Sequence, residues 1–144
     1  GLVAKLYIWP RLQRLSREDA LAALATPHAF RFVGLGFLGP GVVSPSLPSA
    51  FSVPAAYGDF IAAILAVVAT LTLSARAPWA IAIAWIFSVW GSVDLLNAFY
   101  QGEIGVGIDA RDLGAAFYIP TAIVPPLLIT HGLIFWLLLR RKRV

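Results

Sequence analysis

Residues 78–99 read PWAIAIAWIFSVWGSVDLLNAF, and Asp94 is the one charged residue among them. A helix needs about 20 mostly apolar residues to cross the hydrocarbon core of a bilayer, so this stretch is long enough to span. Working outward from it, the stretches 27–43, 54–73 and 113–139 are apolar enough to do the same. Pro27, Pro54 and Pro78 each open a span at its first turn, where the missing N–H forfeits no hydrogen bond, and Thr26 is the expected N-cap of the first. The expected fold is an all-α integral membrane protein: a four-transmembrane-helix bundle preceded by a short cytoplasmic amphipathic helix.

The composition agrees. Of 144 residues, 60% are hydrophobic and only 12% charged, and the mean hydropathy is +0.84. A soluble domain carries roughly 25% charged residues, twice what is present. With no Cys and two His, thiol chemistry is excluded and a zinc site of three or four ligands is not expected. No metal or tightly held cofactor is expected, beyond a bound quinone or lipid.

Charge placement orients the spans. Four crossings put ten of the eleven Lys and Arg residues on one side and Arg111 on the other, which by the positive-inside rule makes both termini cytoplasmic. The opposite loop holds Glu103, Asp109 and Asp112. A bacterial inner membrane is the expected location. Aromatic residues mark the two boundaries: Tyr7, Trp9, Trp79 and Trp136 inside, and Tyr57, Tyr100 and Tyr118 outside. The basic tail, residues 140–144, is expected to meet anionic lipid heads. Nucleic acid is not an expected partner, because no soluble basic domain exists to bind it.

Residues 1–25 form the expected interfacial segment. They do not read as a signal peptide, since the apolar run is short and Arg11, Arg14 and Arg17 follow it. Ser16 and Asp19 resemble a capping box and would start an amphipathic helix lying on the inner membrane surface, with Leu21 and Leu24 facing lipid or the bundle. Residues 26–139 make up the transmembrane domain.

Small residues supply the packing. Ala80, Ala84, Ser88 and Ser92 recur every four residues on the third span, as do Ala62, Ala66 and Thr70 on the second, and such stripes let backbones approach in lipid. Gly34, Gly36 and Gly39 fit a dinucleotide-binding spacing, but a membrane span surrounds them and Pro40 follows. That fingerprint needs a strand before it and a helix after it, so these glycines are expected to serve packing. The uncharged Ser- and Pro-rich stretch 44–53 is expected to fold back over the mouth of the bundle. Pro120, Pro125 and Pro126 are expected to kink the fourth span and free backbone carbonyls.

Ionisable groups inside a span are costly and usually face protein. By helical rise Asp59 lies about 7 Å below the outer end of its span, and Asp94 has risen about 24 Å from the inner side. Both reach one outer layer. Asn97 sits one turn above Asp94, with Phe87 and Trp90 below it, while Tyr57, Tyr118 and Thr121 lie within reach. This set can form a polar pocket with aromatic walls, open to the outer leaflet. It can equally form a hydrogen-bonded tie between spans, or Asp59 can simply cap its own helix. Arg31, about 6 Å inside the first span, is expected to snorkel to the lipid heads. His131, beside Thr130, is expected to be neutral and bonded to a carbonyl freed by a proline. His28 and His131 are expected to differ in depth by about 12 Å, too much to share a metal.

Arg31-x-x-Gly34-x-x-Phe37-Leu38-x-x-Gly41, the Pro-rich loop, and Asp59 opening a span that ends at Arg76 together resemble the DoxX-like membrane proteins over residues 28–80. That resemblance implies a small four-helix membrane protein partnering redox or quinone-linked enzymes, with Arg31 and Asp59 as the family's basic and acidic span residues. Asp stands where that family carries Glu. The expected function is a membrane-embedded binding or accessory subunit, holding a quinone or lipid at Asp59, Asp94, Asn97, Trp90, Tyr57, Tyr118 and Thr121, with Arg31, His131 and Thr130 as secondary candidates. Membrane lipids, further copies of the chain and a membrane enzyme are the expected partners. The alternatives are a small oligomeric proton-coupled transporter or channel, and a lipid-modifying enzyme. The enzyme reading is the weaker, because no nucleophile, metal cluster or phosphate loop supports it.

Overall fold

The computed structural model describes Pro10 and residues 14–140. The basic tail beyond Arg140, along with Lys5, Tyr7, Trp9 and Arg11, lies outside the described residues. Among those described the fold is all-helical, with four helices long and apolar enough to cross a membrane: Arg17–Leu38, Ser49–Ser74, Ala80–Gly105 and Ile119–Leu139.

The first of these joins two kinds of helix. Helix α1, Arg17–Ala25, is N-capped by Ser16, whose hydroxyl accepts from the Asp19 amide, as the capping-box pattern predicts. It runs without a break into a 3-10 segment, Thr26–Leu38. Thr26 is therefore not an N-cap: its hydroxyl donates to the Ala22 carbonyl at 2.8 Å. Helix α1 buries Ala20, Leu21, Ala22, Leu24 and Ala25, chiefly against the second and fourth spanning helices.

A 3-10 run of 13 residues is far longer than the usual three or four. Its geometry eclipses side chains three apart, and the buried residues of the segment are His28, Arg31, Gly34 and Phe37. Each lies three residues from the next. The segment thus turns one polar, partly aromatic file toward the interior and Phe30 and Phe32 outward, at 65% and 50% exposure.

Helix α2, Ser49–Ser74, begins five residues before Pro54, which lies inside it. Its buried face includes Ala55, Asp59, Ala62, Ala66, Ala69 and Leu73, a three-and-four spacing that makes a seam of small residues. Asp59 is consequently about 15 Å from the start of α2, deeper than a Pro54 start would place it. The C-terminus of α2 closes with Arg76 in the left-handed region (φ 54°). The Arg76 amide donates to Leu73 and that of Ala77 to Thr72, a Schellman closure with Arg where Gly is usual.

Helix α3, Ala80–Tyr100, buries Ala80, Ala84, Phe87, Ser88, Gly91 and Leu95 and continues through a π-turn, Gln101–Gly105. The last span begins at Ile119 rather than 113. A 3-10 segment, Ala110–Phe117, precedes it, kinked at Gly114, and a π-turn, Ile119–Ile123, leads into α4, Val124–Leu139. Pro120 falls in the π-turn, and Pro125 and Pro126 fall in the first turn of α4.

The two ends of the molecule differ in charge. At one end Arg17 donates to the Leu137 and Leu138 carbonyls at 2.9 and 2.7 Å, satisfying orphan acceptors at the α4 terminus. Arg76 pairs there with Glu18 and Asp19 at 3.1 and 2.8 Å. Arg140 lies over the Trp136 ring. At the other end the loop 40–48 is bonded to the 110–117 segment: Ser44 to Asp112 and Ala115 to Val42, both at 2.9 Å, with the Ser46 hydroxyl on the Asp112 carboxylate at 2.6 Å. Together they roof that end. Arg31 belongs to neither end.

Candidate functional site

Arg31 is 1% exposed and does not snorkel. Its Nε donates to Asp59 Oδ1 at 2.7 Å, one Nη to Asp94 Oδ2, and the other to the Gly91 carbonyl at 3.1 Å. One guanidinium therefore ties the 3-10 segment to α2 and α3. The 3-10 geometry explains why depth counting from Thr26 misplaces it. The column starts at Arg17 and rises about 2.0 Å per residue beyond Ala25 instead of 1.5, which carries Arg31 well into the span. A planar fork suits three acceptors on two helices, and the pairing offsets part of the cost of burying these charges.

Glycines make the approach possible. A Cβ on Gly34 would stand 2.5 Å from Asp59 Cβ and 2.7 Å from its Cγ, and one on Gly58 would strike the Asp94 carboxylate. On Gly91 it would lie 2.6 Å from His131 Nε2 and 2.9 Å from Arg31 Nη1. Of the three, the sequence singles out Gly34 alone, for packing and within the DoxX-like pattern, and neither Gly58 nor Gly91.

On the far side of Arg31 from the carboxylates, His28 and His131 meet, with ring centroids 4.2 Å apart. They share a level rather than differing in depth. Phe87 packs on both, at 5.1 and 5.2 Å. His28 Nε2 is 2.8 Å from the Thr130 hydroxyl, which itself donates to the Leu127 carbonyl; the network therefore assigns the His28 proton to Nε2. His131 Nδ1 is 3.1 Å from the Ser88 hydroxyl, so its partner is a side chain on α3 and not a carbonyl freed by a proline. His28 Nδ1 and His131 Nε2 are buried without a partner. Among the described residues no group of three or more His, Cys, Asp or Glu could hold a metal ion.

Above the carboxylates lies a cavity of about 190 Å³, running from Asp59 and Asp94 toward the roofed end. Phe37, Phe51, Leu95, Phe99, Phe117 and Ile119 wall it, Glu103 stands at its exposed rim, and Thr121 also lines it. The Thr121 hydroxyl is spent on the Phe117 carbonyl at 2.7 Å. The other expected members are elsewhere. Tyr57 and Tyr118 point outward, 54% and 68% exposed. Asn97 is also exposed, and Trp90 makes only a long 3.4 Å contact to the Gly58 carbonyl. Tyr57, Trp90 and Asn97 lie in regular α-helix within α2 and α3, where depth along the span does not fix the face. Tyr118 lies where the 3-10 segment meets the π-turn, whose winding a 3.6-residue period does not predict.

Residues 1–139 match a family described as Domain of unknown function (DUF8737). No curated protein and no solved structure matches the chain.

Proposed function

The chain belongs to the DUF8737 family, and we propose that it is a membrane-embedded binding or accessory subunit, a four-helix transmembrane bundle that holds a lipophilic small molecule. The observation that carries this reading is the cavity: apolar walls, with Asp59 and Asp94 at its floor. At about 190 Å³ it is smaller than the roughly 300–1,000 Å³ of drug-sized pockets, so it takes a headgroup or a single chain and leaves the remainder in lipid. A carboxyl oxygen that carries no proton accepts hydrogen bonds only, and at least one such oxygen faces the cavity. The bound head must therefore bring donors, as a hydroquinone or a hydroxylated lipid does.

The basic end, carrying Arg17, Arg76 and Arg140, supports a cytoplasmic placement of both termini, in a bacterial inner membrane. The cavity then opens toward the outer leaflet. A relation to the DoxX-like proteins belongs to the same proposal; what supports it is that Arg31 and Asp59, the two counterpart positions, are bonded to each other. A redox enzyme or a second copy of the chain is the proposed partner.

One observation favours a second reading, a proton-coupled carrier. Beyond the cavity floor polar groups lie one behind another toward the basic end, Arg31 and then His131 with Ser88 and His28 with Thr130, although among the described residues no hydrogen bond joins Arg31 to either imidazole. Such files serve proton relays in membranes.

The test is mass spectrometry of the organic extract from purified protein, beside an Ala98→Phe variant that fills the cavity wall. A lipophile near one per chain in the wild type, and lost from Ala98→Phe, is the expected result. Identical extracts from the two proteins contradict the reading.

A further inference from the structure

The charge count at the cavity floor is unbalanced. Asp59 and Asp94 come from two helices, and among the described residues Arg31 is the one cation bonded to them. The cation is also hidden. Arg31 is 1% exposed and absent from the cavity wall, whereas Asp59, Asp94 and Glu103 all line it. Among the described residues no Lys, Arg or His lines the cavity. A molecule entering it therefore meets carboxylate oxygens and never the guanidinium.

The groups facing this floor from each neighbouring element are few. The 3-10 segment brings Arg31, with His28 beyond it; α2 brings Asp59, α3 brings Asp94, and α4 brings His131 behind Arg31. The π-turn after α3 brings Glu103 at the rim. Arg111 is exposed on the roof and outside the wall, and Asp112 is bonded to Ser46. The imidazoles sit on the guanidinium's side, where a further positive charge is repelled. With both aspartates ionised the buried set carries an excess negative charge, which a low-dielectric interior penalises unless it is compensated. Among the described residues no second cation supplies the compensation, so it comes from the cavity.

We propose that the cavity takes an amphiphilic organic cation, an alkylammonium head on a single apolar chain, whose charge completes the set at Asp59 and Asp94, and that a proton on one of the two carboxyls fills that place when the cavity is empty. The ammonium N–H groups donate to carboxylate lone pairs that Arg31 leaves unused. Phe37, Phe51, Phe99 and Phe117 supply an aromatic wall of the kind that attracts cations and receives the chain. Binding breaks one carboxylic O–H bond, the carboxylate keeps the electron pair, and the proton passes to water; one cation enters and one proton leaves. An anionic amphiphile finds no partner there. This proposal rests on the reading of the cavity as a lipophile site and adds the charge of the occupant.

The experiment uses three probes with the same chain: decylammonium, decanol and decanoate. Each is titrated into the purified full chain in non-ionic detergent at neutral pH, with occupancy read by native mass spectrometry and released protons by an indicator dye in weak buffer. Decylammonium is expected to bind one per chain, about tenfold or more tighter than decanol, with decanoate not binding. About one proton should be released per decylammonium bound, since one carboxyl exchanges its proton for the cation. Asp94→Asn, which balances the set at one cation and one anion, should lose the preference for decylammonium and the proton release while still binding decanol. Decanol binding as tightly as decylammonium in the wild type, or cation binding without proton release, overturns the charge inference and leaves the lipophile site standing. Failure of all three probes to bind overturns the site and this inference together.

Discussion

Replacing Arg31 with leucine is expected to destabilise the protein by about 3–5 kcal/mol, the usual cost of removing one partner from a buried ion pair. The value belongs at the high end because two carboxylates and the Gly91 carbonyl lose their donor at once. Among the described residues Asp59 and Asp94 have no other basic partner. Arg31→Lys should recover only part of the loss, because an ammonium is a point charge and cannot present the planar fork that reaches two helices. The triple replacement of Arg31, Asp59 and Asp94 by apolar residues of similar volume should fold better than Arg31→Leu alone, yet bind nothing at the cavity floor. Thermal unfolding in mild detergent measures all three. An Arg31→Leu protein as stable as the wild type contradicts the placement of Arg31.

The second large effect is expected from a single methyl group. Gly34→Ala puts a Cβ at 2.5 Å from Asp59 Cβ and 2.7 Å from Cγ, distances at which the neighbour must move. Asp59 cannot swing freely, because its Oδ1 is held by Arg31 and its helix is packed against the 3-10 segment along its length. Overpacking of this kind costs about 1–3 kcal/mol, and displacing the carboxylate adds a share of the ion-pair loss. By contrast Gly132→Ala, where a Cβ meets nothing within 4 Å, should be neutral or slightly stabilising through helix propensity. Melting temperatures of the two variants, measured side by side, check this. Equal stability of the two variants sinks the close-approach account of Gly34.

The length and apolarity of four segments were legible in the sequence because they depend only on composition over about 20 residues. So were the small-residue seams of α2 and α3 and the capping box at Ser16, which depend on local spacing. What was not legible followed from the kind of helix. Thr26 and Pro27 look like a helix start, and Pro at a first turn is common. Here they mark a change of winding inside a continuous column. The period of three in His28, Arg31, Gly34 and Phe37 was present in the sequence, but a 3.6-residue reading scatters those four over different faces. Arg31 therefore looked like a snorkelling residue near the boundary, and His28 looked remote from His131. The carboxylates were found because a charge in an apolar run announces itself. Their shared cation was missed as a partner because its depth was counted with the wrong rise. Tyr57 and Tyr118 are grouped with the site by depth alone, and depth does not fix the face. Asn97 is grouped with Asp94 by a spacing of one turn, and a three-residue step in an α-helix falls short of a full turn and leaves it rotated off the Asp94 face.

The arrangement at the base of the cavity has one guanidinium holding carboxylates from two different helices. It is tested most directly by solid-state NMR of the full chain in lipid bilayers, using dipolar recoupling between Arg31 guanidinium nitrogens and aspartate carboxyl carbons, with Asp59→Asn and Asp94→Asn samples to assign the signals. Close contacts from Arg31 to both Asp59 and Asp94 are the predicted result. Contact with neither, or with only one while the other carboxylate faces lipid, would contradict it.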